Sequence, residues 1–211
     1  AAMKIAGVKK IVFSSTAAVY SPSEKPAITE EDSTIPLSPY GATKLLSEQL
    51  ISNVSSAEGF SCISLRYFNV AGSGSDEMGD NSRDNLVPKV FLAITNGERP
   101  EVFGTDYPTP DGTCIRDYIH VSDLARAHID ALKAVEKSRI DEIYNVGSGN
   151  GFSVTEVMTE IEKAMGKNLN PILGPRRAGD SPKLIASIEK ISRDLGLSLI
   201  HISEPTRQEA I

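Results

Sequence analysis

Tyr40 and Lys44 bracket the pentapeptide Tyr40-Gly41-Ala42-Thr43-Lys44, and a hydrophobic run upstream of them closes on Ser14-Ser15-Thr16. On a helix, residues at i and i+4 share a face with Cβ atoms roughly 5–6 Å apart. Lys44 would then lie close enough to Tyr40 to favour its phenolate electrostatically, and such a phenol serves as a base near neutral pH. A phenol, an ammonium and a hydroxyl together suit proton transfer beside a carbinol carbon, an oxidoreduction-type site. The Tyr-x-x-x-Lys spacing alone is weak, because any amphipathic helix can set the two side chains one turn apart on a solvated face. The upstream segment Lys10-Ile11-Val12-Phe13-Ser14-Ser15-Thr16 supplies the second half: it reads as a short buried strand that stops at three hydroxyls. Ligands of open α/β sheets bind outside the carboxyl ends of the strands, which is where a catalytic hydroxyl belongs.

The elements that would hold these groups alternate in the manner of an α/β protein. Met3 to Gly7 reads as a helix end closed by glycine, and a strand follows over about residues 10–15. A proline-containing loop leads to Ser38-Pro39, a cap and first-turn proline for a helix from Tyr40 to about Ala57. A second strand, Cys62 to Phe68, is expected to end at Asn69 before a glycine-rich loop from Ala71 to Gly79. Further expectations are a helix over Asn85–Asn96, a strand near Glu101–Phe103, a helix Asp123–Lys137 capped by Ser122, and a strand Glu142–Gly147. Ser153-Val154-Thr155-Glu156 has the form of a capping box before a helix that ends at Gly166. No internal repeat is present.

Composition narrows the function classes. The chain of 211 residues, 40% hydrophobic, is long enough to bury one good core in one or two domains. No apolar stretch approaches the ~20 residues that span a bilayer, and the first residues lack the features of a signal peptide, so no membrane partner and a cytoplasmic location are expected. Cys62 and Cys114 form no Cys-x-x-Cys and are too few for a disulfide framework or a metal cage. They read as ordinary thiols. A formal charge of −6 disfavours nucleic acid as a partner. It leaves room for a small anion, because charge-assisted arginine contacts act at short range while distant charges are screened over ~8–10 Å.

Four segments carry a resemblance: Phe13 through Tyr20, Ser38 through Lys44, Leu65-Arg66-Tyr67-Phe68-Asn69, and the long block from Phe103 to Val121. Residues 1–196 resemble the carboxyl-terminal two thirds of the UDP-glucose 4-epimerase branch of the extended short-chain dehydrogenases/reductases. The first two segments occur across many nucleotide-sugar enzymes, and the last is much more specific. The resemblance implies a partial Rossmann-like parallel sheet with a smaller α/β substrate domain. It divides the chain into residues 1–70, carrying the catalytic pair, and residues 71–196, mainly for substrate, with segments around 115–150 returning to the first domain. It also implies tightly bound NAD, UDP-glucose and UDP-galactose as substrates, and a homodimer at full length.

What the resemblance implies for individual residues is specific. Tyr40 would take the proton of the sugar 4-hydroxyl, Lys44 would hold the nicotinamide ribose, and Thr16 would hydrogen-bond the reacting oxygen. Ser14, Ser15 and Tyr67 would join Tyr40 and Lys44 around the cofactor. Asn69 and Asn85 would contact sugar and phosphate, and Phe103 lies in the segment that meets uracil. Arg116 and Arg177 would bind the diphosphate, as an arginine fork suits, with Asp180 on the uridine ribose and Leu184 on a wall that bears on N-acetylated sugars. Four have an ordinary alternative: Thr16 capping a turn, Asn69 closing a strand, Asn85 capping a helix, Arg177 solvated. His120 reads as structural, because no nucleophile elbow or second metal ligand accompanies it, and His128 carries less signal still. Glu30-Glu31-Asp32 reads as a solvated charge run.

Rival activities on the same fold are 4,6-dehydration, decarboxylation, and 4-epimerisation of N-acetylhexosamine or uronate sugars. Relatives that dehydrate carry Asp or Glu just after the Ser/Thr position, where this chain has Ala17 and Ala18. A nonenzymatic NAD-binding scaffold would usually lose the tyrosine or the lysine, and both remain. No Gly-x-Gly-x-x-Gly follows a strand, so the phosphate loop is expected upstream of residue 1 and the fragment alone is expected to be inactive. Residues 197–211 resemble a translated sequencing adapter, are expected to be a non-native tail and are left out of the functional reading.

Overall fold

The computed structural model describes residues 2–80, 85–177 and 179–197. The expected tail therefore lies outside the described residues except for Leu197. A short helix, α1 (Ala2–Ile5), leads into β1 (Lys10–Ser14), and one 3-10 turn, Ala17–Val19, follows the strand. The long helix α2 (Pro39–Glu58) runs back to β2 (Ser61–Tyr67), followed by β3 (Asn69–Ala71), α3 (Leu86–Thr95) and β4 (Glu101–Phe103). Next come β5 (Ile115–His120), α4 (Val121–Lys137), β6 (Asp141–Val146), β7 (Gly151–Ser153) and α5 (Val154–Met165). The last elements are β8 (Ile172–Gly174), β9 (Lys183–Leu184) and α6 (Glu189–Leu195).

The expected α/β architecture is present. β1, β2 and β6 form a parallel sheet in that order, with Ser14 opposite Leu65 and Leu65 opposite Tyr144. The middle strand is buried along almost its whole length, as a parallel strand covered on both faces must be. Ala127, Ala131 and Val135 recur at helical spacing on α4 and meet Ile63, Leu65, Tyr144, Val146 and Ile191 in one core. A second core gathers Ala17, Val19, Tyr20, Ile28, Phe68 and Ala186 beneath the turn after β1. A third, of Val90, Val102, Met158, Ile161 and Leu169, joins α3, β4 and α5 away from the parallel sheet.

Several expectations need correction. The second strand does not run through to Asn69: it breaks at Phe68, whose ring enters the second core, and Asn69 opens β3, which leaves β6 and pairs with β5. Ser122 is not the cap of α4. His120 is, its Nδ1 accepting from the Ser122 N–H at 3.2 Å. The charge run is not simply solvated either, since Glu30 Oε1 accepts from Asn145 N at 2.7 Å and Asp32 accepts from Thr29 N at 2.8 Å. By contrast the Ser153–Glu156 capping box is fully formed, and Cys62 and Cys114 are buried free thiols. Among the described residues no helix is long and apolar enough to cross a membrane, and no cluster could hold a metal ion.

Candidate active site

The start of α2 is set by local chemistry. Ser38 Oγ accepts from Gly41 N at 3.1 Å and Pro39 occupies the first turn, where its missing N–H has no intrahelical partner to lose. Tyr40 therefore emerges at the lip of the helix, half exposed. Gly41 is what lets this lip approach the strand end: a Cβ added there would stand 2.2 Å from the Ala18 carbonyl oxygen. One turn on, Lys44 Nζ donates to the Ser14 carbonyl at 2.9 Å, with the Tyr40 ring centroid 5.8 Å and the Phe13 centroid 5.1 Å away. An ammonium has three donors, so that bond leaves two for other acceptors.

Thr16 is buried and its Oγ1 accepts from Ala18 N at 3.2 Å, capping the 3-10 turn. The turn-capping alternative and availability for chemistry coexist here, because the bond uses an oxygen lone pair and leaves the hydroxyl hydrogen to donate. Ser14 Oγ lies 2.8 Å from His128 Nε2, and His128 Nδ1 lies 2.9 Å from the Leu124 carbonyl. A carbonyl only accepts, so Nδ1 carries a proton, and in the neutral ring the Ser14 hydroxyl donates to Nε2. Ser15 is fully buried and its hydroxyl donates to Glu48, so only its backbone is left to line a cofactor site. Burial pushes the Tyr67 phenol above its ordinary value, with the neighbouring Tyr40 adding to the shift. Tyr67, at the end of β2, lies with its ring centroid 6.4 Å from that of His128, the partner of Ser14.

A second constellation forms at the far side of β5. Asp180 accepts from Arg177 Nε at 3.0 Å and from Arg116 Nη2 at 3.4 Å, and Arg116 Nη1 reaches the Ser181 carbonyl at 2.7 Å. The Arg177 guanidinium lies over the Phe103 ring, 5.0 Å from its centroid. Leu184, opposite Arg116 in the β5–β9 register, packs on the core beneath the Thr16 turn and so joins the two constellations. Asn69 lies opposite Tyr118 on β5, whose phenol burial pushes upward. Asn85 precedes α3 but makes no side-chain cap; its Nδ2 donates to Asp80 at 2.8 Å.

Five side chains that the sequence did not single out complete the surroundings. Glu48 and Arg66, both 4% exposed, pair at 2.7 Å. Tyr20 and Asn145 continue from Arg66, and burial pushes the Tyr20 phenol up to about 12 despite the guanidinium beside it. Asp117, fully buried on β5, accepts from Ser148 N, Gly149 N and Ala186 N at 2.6, 3.0 and 3.1 Å, tying the loop after β6 and the segment after β9 to its strand. Burial raises its carboxyl above the ordinary range against those bonds.

The sequence profile of the NAD dependent epimerase/dehydratase family matches residues 1–147. The chain is 45% identical over 197 residues to a UDP-glucose 4-epimerase of Azospirillum brasilense, covering 90% of this chain and 56% of the relative. It is 43% identical over 201 residues to that of Bacillus subtilis, covering 92% and 59%. Among solved structures, UDP-glucose 4-epimerase from Bifidobacterium longum in complex with NAD+ and UDP superposes with a TM-score of 0.85 at 36% identity, covering 97% of this chain and 62% of that one. The chain thus spans a little over half the length of the curated relatives it matches.

Proposed function

Because the chain belongs to the NAD dependent epimerase/dehydratase family, we propose that the full-length protein interconverts UDP-glucose and UDP-galactose by transient oxidation at sugar C4. The observation that carries this is the position of Lys44 Nζ, bonded to the strand-end carbonyl of Ser14 and beside the Tyr40 ring. The donor set fits the nicotinamide-ribose end of NAD: the two remaining Lys44 donors suit a diol, and the bonded Ser14, Ser15 backbone and Tyr67 border the same edge. Bound NAD supplies the acceptor that takes hydride from C4 and later returns it.

In this proposal Tyr40 removes the 4-hydroxyl proton and gives it back after the 4-keto sugar has turned over, so no net oxidation results. Lys44 stabilises negative charge on the phenol oxygen, and Thr16 donates to the reacting oxygen. Residues 1–70 carry this chemistry and residues 71–196 mainly hold substrate, with Arg116 and Arg177 on the diphosphate, Asp180 on the uridine ribose, Phe103 on uracil, and Asn69 and Asn85 toward sugar and phosphate. Leu184 forms the wall that sets tolerance of N-acetylated sugars. Ala17 and Ala18 offer no acid for a departing hydroxyl, which favours epimerisation over dehydration. Leu46, Leu50 and Val54, exposed along one face of α2, supply an apolar surface for a homodimer, and the cytoplasm is the proposed location.

Replacing Tyr40 by Phe in the full-length protein tests the assignment: conversion of UDP-galactose to UDP-glucose should vanish while NAD remains bound. Unchanged turnover would refute the assigned base, and accumulation of a 4-keto product by the unaltered enzyme would refute epimerisation. The 211 residues alone should bind NAD poorly and lack activity, which the same assay on the isolated chain decides.

A further inference from the structure

Two successive residues at the end of β1 meet two residues one turn apart on α2. The Ser14 carbonyl accepts from Lys44 Nζ at 2.9 Å, and the Ser15 hydroxyl donates to Glu48 Oε1. Residues at i and i+4 share a helix face, so the stripe Tyr40, Lys44, Glu48 lies along the strand end and is held at two points. A single contact would let the helix slide or rotate about it. Two contacts at successive residues fix both its height and its rotation.

Glu48 is itself clamped. Arg66 Nε lies 3.0 Å from Oε1 and Nη2 lies 2.7 Å from Oε2, a bidentate pair reaching across from β2. The remaining Arg66 nitrogen, Nη1, donates to Tyr20 Oη at 3.0 Å, and the Tyr20 hydroxyl donates to Asn145 Oδ1 on β6 at 2.7 Å. Ser15 precedes Thr16 and Tyr20 closes the turn that Thr16 opens. The turn carrying the proposed catalytic hydroxyl is thus pinned at both ends to the same ion pair, which also pins the helix carrying the proposed base.

Burying this pair is an unusual way to hold a core together. Replacing a buried ion pair by apolar side chains of similar size is often neutral or stabilising, so affinity of helix for sheet does not require it. What charge-assisted bidentate bonds add over apolar contact is direction. Productive geometry tolerates little error: a misplacement of about 1 Å can lower a rate roughly 100-fold.

We propose that Glu48 and Arg66, with Ser15 and Tyr20, are positioning residues that hold the Thr16 turn and the Tyr40–Lys44 helix in catalytic register. None of the four side chains is placed against the reacting sugar; they act through Thr16, Tyr40 and Lys44. The proposal rests on the epimerase reading, and the unaltered full-length enzyme is the control that separates the two: its failure to convert UDP-galactose would reject that reading before any variant is compared.

The test is made on full-length Ser15→Ala and Tyr20→Phe. Each should lower kcat for UDP-galactose by about ten-fold or more, leave KM within about two-fold, and keep bound NAD at the unaltered level. A melting temperature within about 4 °C of the unaltered enzyme would accompany this, as loss of one hydroxyl implies. A Glu48→Met/Arg66→Leu double variant should fold and bind NAD yet lose roughly 100-fold in kcat. Unaltered kcat in either single variant overturns the proposal. So does a kcat loss matched by loss of bound NAD, which would make Ser15 a cofactor contact, or by a large fall in melting temperature, which would make the network merely structural. If the double variant does not fold, the two single variants still decide.

Discussion

Gly41→Ala should slow the full-length enzyme and destabilise it, against the usual direction of the substitution. Glycine to alanine within a helix ordinarily gains up to about 1 kcal/mol. Here the added Cβ would stand 2.2 Å from the Ala18 carbonyl oxygen and 3.0 Å from both the Ala18 carbonyl carbon and Pro36 Cβ, whereas ordinary contact begins at 3.4 Å. The oxygen contact alone therefore asks for a retreat of roughly 1.2 Å, the difference between contact distance and the spacing found. The clashing atom is backbone in the turn that Thr16 caps, so it cannot swing aside as a flexible side chain would. Overpacking of this kind costs about 1–3 kcal/mol, enough to reverse the helix gain. Withdrawing Tyr40 from Thr16 by about 1 Å should cost on the order of 100-fold in kcat. Gly59→Ala serves as the control at the other end of the same helix: its φ of 68° strains any side chain, but nothing lies within 4 Å. That variant should lose about 1–2 kcal/mol of stability and keep its rate. The assay is thermal melting beside steady-state conversion of UDP-galactose. A Gly41→Ala enzyme that melts no lower than the unaltered one, with kcat within about three-fold, would refute the close-approach reasoning.

On the proposed function, Arg177→Ala in the full-length protein should raise KM for UDP-galactose about ten-fold with kcat little changed, and leave the melting temperature alone because an exposed ion pair contributes little; a KM equal to that of the unaltered enzyme would remove Arg177 from the proposed substrate site. Burial, with the Asp141 carboxylate beside it, pushes the Cys62 thiol up to about 12. Native Cys62 should therefore resist alkylation at about pH 8 while the unfolded thiol reacts, as mass spectrometry would show. Burial works against ionisation of Asp111, but bonds from Ser153 and Thr113 prevail and hold its carboxyl below the ordinary range. A depressed carboxyl contributes stability that is present above its unfolded value, about 3.9, and is lost as pH falls through the lower folded value. The stability gap between the unaltered protein and Asp111→Asn, followed by urea unfolding, should be steady near neutrality and close below about pH 4.

What was legible in the sequence was whatever its own neighbours decide. Ser38-Pro39, Ser153 with Glu156, and Gly166 announce helix ends through bonds spanning a few residues, and those ends stand where expected. The short strands β3, β7, β8 and β9 escaped because two or three residues carry no period, and only a distant partner makes them strands. The His120 cap escaped for a different reason: Ser122 has the better propensity, but the chain enters the helix directly from β5 with His120 already extended. At the candidate site, helical spacing led to Lys44 beside Tyr40, and Phe103, Arg116, Arg177 and Asp180, named from the resemblance, lie near one another in the fold. The resemblance did not foretell Glu48 and Arg66, whose meaning lies in each other across eighteen positions of sequence.

Yet α2 shows how that pair could have been inferred. Its leucines at 46 and 50 are 64% and 65% exposed while Glu48 is 4% exposed, the reverse of the usual apolar-in, polar-out rule for a surface helix. Hydrophobic pattern alone does not orient this helix, because Leu45 packs on the second core while its neighbour Leu46 faces out. The proposed chemistry turns it correctly: if Tyr40 and Lys44 must face the end of β1, Glu48 shares their face by helical spacing and must go inward with them. A carboxylate forced inward needs a cationic, hydrogen-bonding partner, and Arg66 stands buried near the end of β2 with the same need. Two charged residues that each look misplaced alone become one requirement once the helix is oriented by its reactive side chains. The same rotation leaves Leu46 and Leu50 outside, so the site's geometry and the apolar surface on the outer face of α2 follow from a single constraint.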